Sequence, residues 1–245
     1  MAIAISNRLK EIANFVTRGY TLADIGTDHG YVPIYLVEHN DIPHAIAMDV
    51  KNGPLEKAKE NIRKEQLDEK IETRLSDGLE KLEENETDSI LIAGMGGPLV
   101  VKILTEGSKI AKSAKELILS PQSELAFVRR FLEEHQYQIV AEKIIYDEGK
   151  YYTVMKVKNG HDYYEKEYSF LYGKADVQID LEIYMRYLHK ELSKVISIEE
   201  KLKKIKKDEA RISDRKKELE KQKKELQMAI SDAEKIEREN IRGGK

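Results

Sequence analysis

The stretch Leu22-Ala23-Asp24-Ile25-Gly26-Thr27-Asp28-His29-Gly30 decides how this chain folds. An apolar run passes into a turn that holds two glycines, and nineteen positions after Gly30 a second apolar run, Ala45-Ile46-Ala47-Met48, ends in Asp49. A glycine-bearing strand-to-helix turn followed by an acidic strand end is how a doubly wound α/β sheet grips a nucleoside-containing ligand. The glycines let backbone approach the ligand, and the carboxylate accepts hydrogen bonds from both ribose hydroxyls. Two further strand ends continue the series. Ile71-Glu72-Thr73-Arg74-Leu75 runs into Ser76-Asp77-Gly78, and Ser89-Ile90-Leu91-Ile92-Ala93 opens into Gly94-Met95-Gly96-Gly97-Pro98.

The turn also discriminates between cofactors. A dinucleotide fingerprint carries glycine at its first, third and sixth positions, whereas counting from Gly26 this chain has Asp28 and Tyr31 at the latter two. A carboxylate at position 28 would repel a pyrophosphate, the more so in a pocket of low dielectric. S-adenosylmethionine has no phosphate and carries a sulfonium and an ammonium group, so Asp24 and Asp28 favour it. Asp77 becomes the candidate for the adenine amino group. The side-chain-poor turn Gly94 to Gly97 is expected to line the pocket together with Gly26, Gly30 and Gly78. Taken singly these signals are weak: an Asp-x-Gly turn is common in loops, and His29 is more often a structural residue than an acid or base. Their weight comes from four acidic or glycine-rich strand ends in the right order, with His29 ranked as pocket lining.

The 245 residues suffice for one large domain plus an appendage. With no cysteine in the chain, disulfides, thiolate metal sites and a thiolate nucleophile are excluded, and with them the covalent route to pyrimidine C5 methylation. No metal site is expected. There is no signal-like segment and no apolar run of membrane-spanning length, so a cytoplasmic protein with no membrane partner is expected. The net charge of -3 argues against indiscriminate adhesion to nucleic acid. Its distribution is uneven, because within Lys201 to Lys224 there are 12 basic residues against 5 acidic ones. Such Lys and Glu alternation is most often a solvated helix face, with RNA contact as the lesser reading.

Alternating elements organise the first 160 residues into a parallel sheet with right-handed crossovers. Ser6 to Arg18 reads as an opening helix capped by Ser6, and further helices begin near Tyr31 and around Pro54. A fifth strand, Glu116 to Leu119, leads through Ser120-Pro121-Gln122 to a helix that Ser123 can cap, extending through Glu134. Gln138 to Tyr146 and Tyr151 to Val157 form a hairpin around Asp147-Glu148-Gly149-Lys150, which supplies an antiparallel last strand. From Lys166 the pattern is helical almost to the end. Ile198, Ile205, Ile212, Leu219, Leu226 and Ala233 recur every seven residues, with Leu188, Val195, Leu202 and Ile230 as a companion series. Glu209, Lys216 and Lys223 interrupt that companion seam, so the thin stripe suits a two-helix antiparallel hairpin turning between Asp208 and Asp214. The expected division is residues 1–160 and 161–245.

The run Asp24 to Pro33, the turn Ala93-Gly94-Met95-Gly96-Gly97 and the opening Ser6-Asn7-Arg8-Leu9 resemble the bacterial TrmK family, the tRNA (adenine-22, N1) methyltransferases. The likeness spans residues 5 to 157. It implies an α/β class I methyltransferase domain, with a Rossmann-like sheet and an antiparallel last strand, followed by a C-terminal helical coiled-coil hairpin. It also implies S-adenosylmethionine as cofactor, tRNA as partner, and methylation of N1 of an adenine in the D-loop region. The expected cofactor-binding set is Asp24, Gly26, Asp28, His29, Gly30, Asp49, Asp77, Gly78, Gly94, Met95, Gly96 and Gly97. Asp28 is the catalytic candidate, placed to stabilise the charge that develops on the methylated base. Arg8, Tyr31 and Gln122 are candidate acceptor contacts, although Ser120-Pro121-Gln122 departs from the Gln-Pro-Asn type sequence expected there. Two other readings stay open, a small-molecule methyltransferase and a non-catalytic coiled-coil adaptor. Oligomeric state is left open, a monomer included.

Overall fold

The computed structural model describes residues 3, 5–203 and 209–243, with the side chains of 209–212 outside that description. The chain divides into two compact units between Tyr163 and Tyr164.

The first unit is built on a seven-stranded sheet. Five strands are parallel: β1 (Leu22–Ile25), β2 (Ala45–Asp49), β3 (Ile71–Leu75), β4 (Ser89–Ala93) and β5 (Glu116–Ser120). Two long strands, β6 (Tyr137–Asp147) and β7 (Lys150–Asn159), form a hairpin whose β7 pairs antiparallel with β5. The order is β3-β2-β1-β4-β5-β7-β6, so the direction of winding reverses between β1 and β4. β1, β2 and β5 are buried along their whole length. That is why they read as unbroken apolar runs rather than as alternation. Glu148 and Gly149 both take left-handed backbone at the hairpin tip (φ 46° and 81°), matching the twist of the strands they join.

Helices α1 (Asn7–Ala13), α2 (Tyr31–Glu38), α3 (Asn52–Lys64), α4 (Gly97–Glu106), α5 (Ser108–Ser113) and α6 (Leu125–Glu134) complete the unit. A buried ion pair, Arg129 to Glu142 at 3.0 Å, ties α6 to β6. Two expectations need correction. Ser6 does cap α1, but the helix stops at Ala13 instead of reaching Arg18. Thr17, which would have continued it, gives its N–H and its hydroxyl to the buried Glu116 carboxylate of β5. Ser123 does not cap α6 either. That position falls to Glu124 in left-handed conformation, with no side-chain cap, while the Ser123 carbonyl accepts the Gly97 N–H at the start of α4.

In the second unit α7 (Glu167–Tyr172) is followed by a short 3₁₀ turn (Ala175–Val177), α8 (Leu181–Lys203) and α9 (Glu209–Gly243). The expected continuous helix from Lys166 is therefore broken, at Gly173 with φ 91° and again before Asp180, whose carboxylate accepts the Ile183 N–H that opens α8. α8 packs on α9 through buried Leu188 and Val195 on one side and Leu219, Leu226, Ile230 and Ala233 on the other. Ile198 departs from the expected seam, being 38% exposed. Residues 209–214, where a turn was expected, are helical; Asp208, the side chain of Ile212 and all of Ile205 lie outside the described residues. No described helix is long and apolar enough to cross a membrane.

Candidate active site

The C-terminal ends of β1 to β4 surround a cleft of about 570 Å³ at the point where strand order reverses. Open α/β sheets bind their ligands in this position. The first loop is shaped by backbone before side chains enter. Gly26 has φ 72°, and its N–H and that of Thr27 both donate to the Met48 carbonyl, at 2.8 and 2.9 Å. A Cβ at Gly26 would lie 2.2 Å from Cε of Met95, so any larger residue would strain the turn and push the Met95 side chain aside. Gly30, also left-handed (φ 72°), starts α2, and its Cα face rests against Ala58 of α3. The Asn61 amide donates to the His29 carbonyl at 3.0 Å, pinning the loop to the same helix.

Within this frame Asp24 is 5% exposed. The Thr27 hydroxyl donates to its Oδ2 at 2.7 Å. Burial pushes the Asp24 carboxyl up to about 7 from 3.8, Thr27 opposes the shift, and the nearby charge of Asp49 adds to it. Asp49 closes β2, also buried, with one oxygen taken by the Lys51 N–H at 2.8 Å. Asp77 stands exposed beyond β3, on a turn held by Ser76, whose hydroxyl donates to the Gly78 carbonyl and accepts the Lys81 N–H. Asp28 takes left-handed backbone (φ 53°), with its side chain 69% exposed and Oδ1 3.6 Å from Nε2 of His29.

A methyltransferase-domain family model matches residues 5–155. The tRNA (adenine(22)-N(1))-methyltransferase of Bacillus subtilis is 36% identical over 158 residues, 64% of this chain and 66% of that protein. The crystal structure of the B. subtilis m1A22 tRNA methyltransferase TrmK matches with a TM-score of 0.78 at 31% identity, covering 93% of this chain and 99% of that one. The chain belongs to the TrmK methyltransferase family. M. capricolum TrmK in complex with S-adenosyl-homocysteine matches with a TM-score of 0.77 at 28% identity, covering 92% of this chain and 99% of that chain.

Of the residues picked from sequence, this TrmK-family cleft brings together Arg8, Asp24, Gly26, Asp28, Tyr31, Asp49, Asp77, Gly78, Gly94, Met95 and Gln122. Four others lie outside its lining. His29 stacks on Tyr31, ring centroids 5.1 Å apart, and Gly30 is spent on packing against α3. Gly96 is the N-cap of α4. A Cβ on Gly97 would meet the Ser123 carbonyl at 2.6 Å, so its small size serves the contact between α4 and the segment before α6. Sequence reading missed the apolar walls, Val50 after Asp49 and Leu99 and Ile103 on α4. Val50 and Leu99 are 57% and 45% exposed, and large apolar groups facing an opening are a signal that burial alone would reveal. Among the described residues no group of three His, Cys, Asp or Glu is arranged for a metal ion.

Proposed function

We propose that this chain transfers a methyl group from S-adenosylmethionine to N1 of an adenine in tRNA, at position 22. The single observation that carries the reading is Asp24, a buried carboxylate to which no cation is paired among the described residues, at the floor of a cleft that also holds Asp28, Asp49 and Asp77. Such a cleft suits a ligand rich in positive charge and hydrogen-bond donors. The names of the B. subtilis and M. capricolum relatives support the same donor class and acceptor.

The residues present fit the donor. Asp49 keeps an oxygen for ribose hydroxyls, Asp77 stands where an adenine amino group can donate to it, and Asp24 and Asp28 face the cationic portion. Exposed Val50 and Leu99 offer apolar surface to a base. Bound there, S-adenosylmethionine supplies an electrophilic methyl group. The chain's own task is positioning, because N1 of adenine has an in-plane lone pair and no proton to remove, so no general base is needed. Asp28 stabilises the positive charge that the acceptor base gains, and Tyr31, stiffened by its stack on His29, offers a face for that base. Gln122, whose N–H is held by the Met95 carbonyl at 2.8 Å, presents an amide at the same rim. The base must leave its stack to reach them. The protein is assigned to the cytoplasm.

Unmodified tRNA incubated with protein and donor should yield 1-methyladenosine at position 22 on nucleoside mass spectrometry. Affinity for tRNA should fall with salt, at a slope of roughly -0.7 to -0.9 per neutralised phosphate. Methylation of a metabolite panel instead of tRNA would favour the small-molecule reading. Failure to bind the donor in calorimetry would leave the adaptor reading.

A further inference from the structure

His29 lies outside the cleft lining, yet the two groups assigned to the acceptor side converge on it. Its Nε2 stands 3.6 Å from Asp28 Oδ1, and its ring stacks on that of Tyr31, with centroids 5.1 Å apart and planes 15° from parallel. Its own carbonyl accepts the Asn61 amide of α3 at 3.0 Å. The backbone around it is strained. Gly26, Asp28 and Gly30 all take left-handed φ, at 72°, 53° and 72°, and a residue other than glycine keeps such an angle only where its surroundings over-determine it. The Gly26 and Thr27 N–H groups fix the start of the loop on β2, and Gly30 rests its end against Ala58. Between those anchors, Asp28 and His29 are held through the His29 ring and carbonyl. The His29 side chain is 30% exposed and that of Asp28 69%, so the ring is the better fixed of the two.

We infer that His29 is a positioning residue for methyl transfer, orienting Asp28 and Tyr31 from behind, a role that rests on the acceptor-side reading of those two residues given above. An exposed carboxylate is free to change rotamer. The imidazole nitrogen keeps one of its oxygens turned inward at the distance of an ionic contact rather than a hydrogen bond, and leaves the other for the exocyclic amine of the acceptor base. A tyrosine ring backed by a second ring loses less freedom when a base stacks on its open face. The two services draw on different features of the imidazole, a donor nitrogen for Asp28 and a flat ring for Tyr31. They are therefore separable, since phenylalanine supplies the ring without the donor and glutamine the donor without the ring.

Steady-state methylation of unmodified tRNA by the full chain, with S-adenosylhomocysteine affinity and the urea midpoint measured alongside, tests this. His29→Phe should lower kcat roughly 10- to 100-fold, the scale of a misplaced group, and leave the KM for tRNA unchanged, since Asp28 acts on charge that develops during transfer. His29→Gln should raise that KM roughly 2- to 12-fold, the worth of one aromatic pair, with kcat nearly unchanged. S-adenosylhomocysteine affinity should hold in both. His29→Phe should cost nothing further in an Asp28→Asn background, nor His29→Gln in a Tyr31→Leu background. Asn61→Ala frees the carbonyl from which both services hang, so it should lower kcat and raise KM together; if a His29 variant fails to fold, unchanged kinetics in Asn61→Ala overturn the assignment by themselves. The same effect on kcat and KM from both His29 variants, or additive costs in the double variants, also overturns it. So do parallel losses of urea midpoint and S-adenosylhomocysteine affinity, which would reduce His29 to packing. Wild-type kinetics in Asp28→Asn and Tyr31→Leu alone would instead sink the acceptor-side reading, a result distinct from these.

Discussion

Two buried carboxylates sit at opposite ends of the same parallel sheet and are treated in opposite ways. Glu116, at the start of β5, is saturated. Oε1 accepts from the Thr17 N–H and the Ser89 hydroxyl, both at 2.8 Å, while Oε2 accepts from the Thr17 hydroxyl at 2.6 Å and lies 3.3 Å from the Lys156 ammonium. Asp24, near the end of β1, has the Thr27 hydroxyl as its side-chain partner and the unhelpful charge of Asp49 nearby. A carboxylate with every lone pair engaged is a joint that holds the segment after α1, β4, β5 and β7 together. One whose bonding is incomplete costs the folded state some stability and keeps its capacity for a ligand.

The comparison breaks first at Glu116. Glu116→Ala strands the Thr17 N–H, the Ser89 hydroxyl and the Lys156 ammonium, and should cost on the order of 3 to 4 kcal/mol in urea unfolding. Donor affinity of the protein that remains folded should be unchanged, and a loss of affinity without a loss of stability would erase the distinction between the two ends.

Asp24→Asn should do the reverse. Because the folded carboxyl titrates near 7 rather than 3.8, its contribution to stability is full below about pH 4 and lost as pH rises through 7. Wild type should therefore lose on the order of 2 to 3 kcal/mol between pH 4 and 8 that the Asn variant does not lose. Binding of the cationic donor should strengthen over the same interval in wild type and stay flat and weak in the variant. Parallel pH profiles for the two proteins would show that Asp24 is not the titrating group.

Gly26→Ala sharpens the picture of the upper rim. An alanine held in left-handed backbone costs about 1 to 2 kcal/mol, and Met95 must swing aside, so a lower urea midpoint should accompany weaker donor binding. The smallest effect belongs to the solvent margin of the lower rim. Asp88 accepts from the Thr21 N–H and hydroxyl, and Lys115 lies 2.7 Å away, its hydrogen bond being the largest of the influences that hold the Asp88 carboxyl below its usual range. Lys115→Ala should raise the Asp88 pKa in an NMR titration while leaving the urea midpoint where it was, since exposed pairs contribute little.

How much was legible from sequence follows the reach of the forces involved. Strands β1, β2, β4 and β5 were readable to within a residue because each is a largely buried, mainly apolar run closed by Asp, Gly or Ser, and the half-exposed β3 because Ser76-Asp77-Gly78 ends it. The hairpin was readable because Glu148-Gly149 marks its turn. The end of α1 was not, because the Thr17 N–H is claimed by Glu116, 99 positions away in the chain. The role of Ser123 was misread because α4 needs its carbonyl. The glycines of the β4 loop looked equivalent, yet Gly94 faces the cleft while Gly97 is packed under Ser123. In the helical unit the heptad count was correct for Leu219, Leu226 and Ala233 and wrong for Ile198, since a period says which residues share a stripe but not how far the partner helix covers it.

By itself, then, the amino-acid order determined the parallel α/β plan and the acidic strand ends on which the proposal of a cationic ligand rests, because these depend on local periodicity and on the charge of neighbouring residues. Tertiary structure alone decided which carboxylate is satisfied and which is not, and that Arg8 turns a guanidinium nitrogen inward with no partner among the described residues. Solvation and hydrogen-bond saturation are properties of the packed neighbourhood, and residues as far apart as Arg8 and Asp147 create that neighbourhood only when the chain has folded.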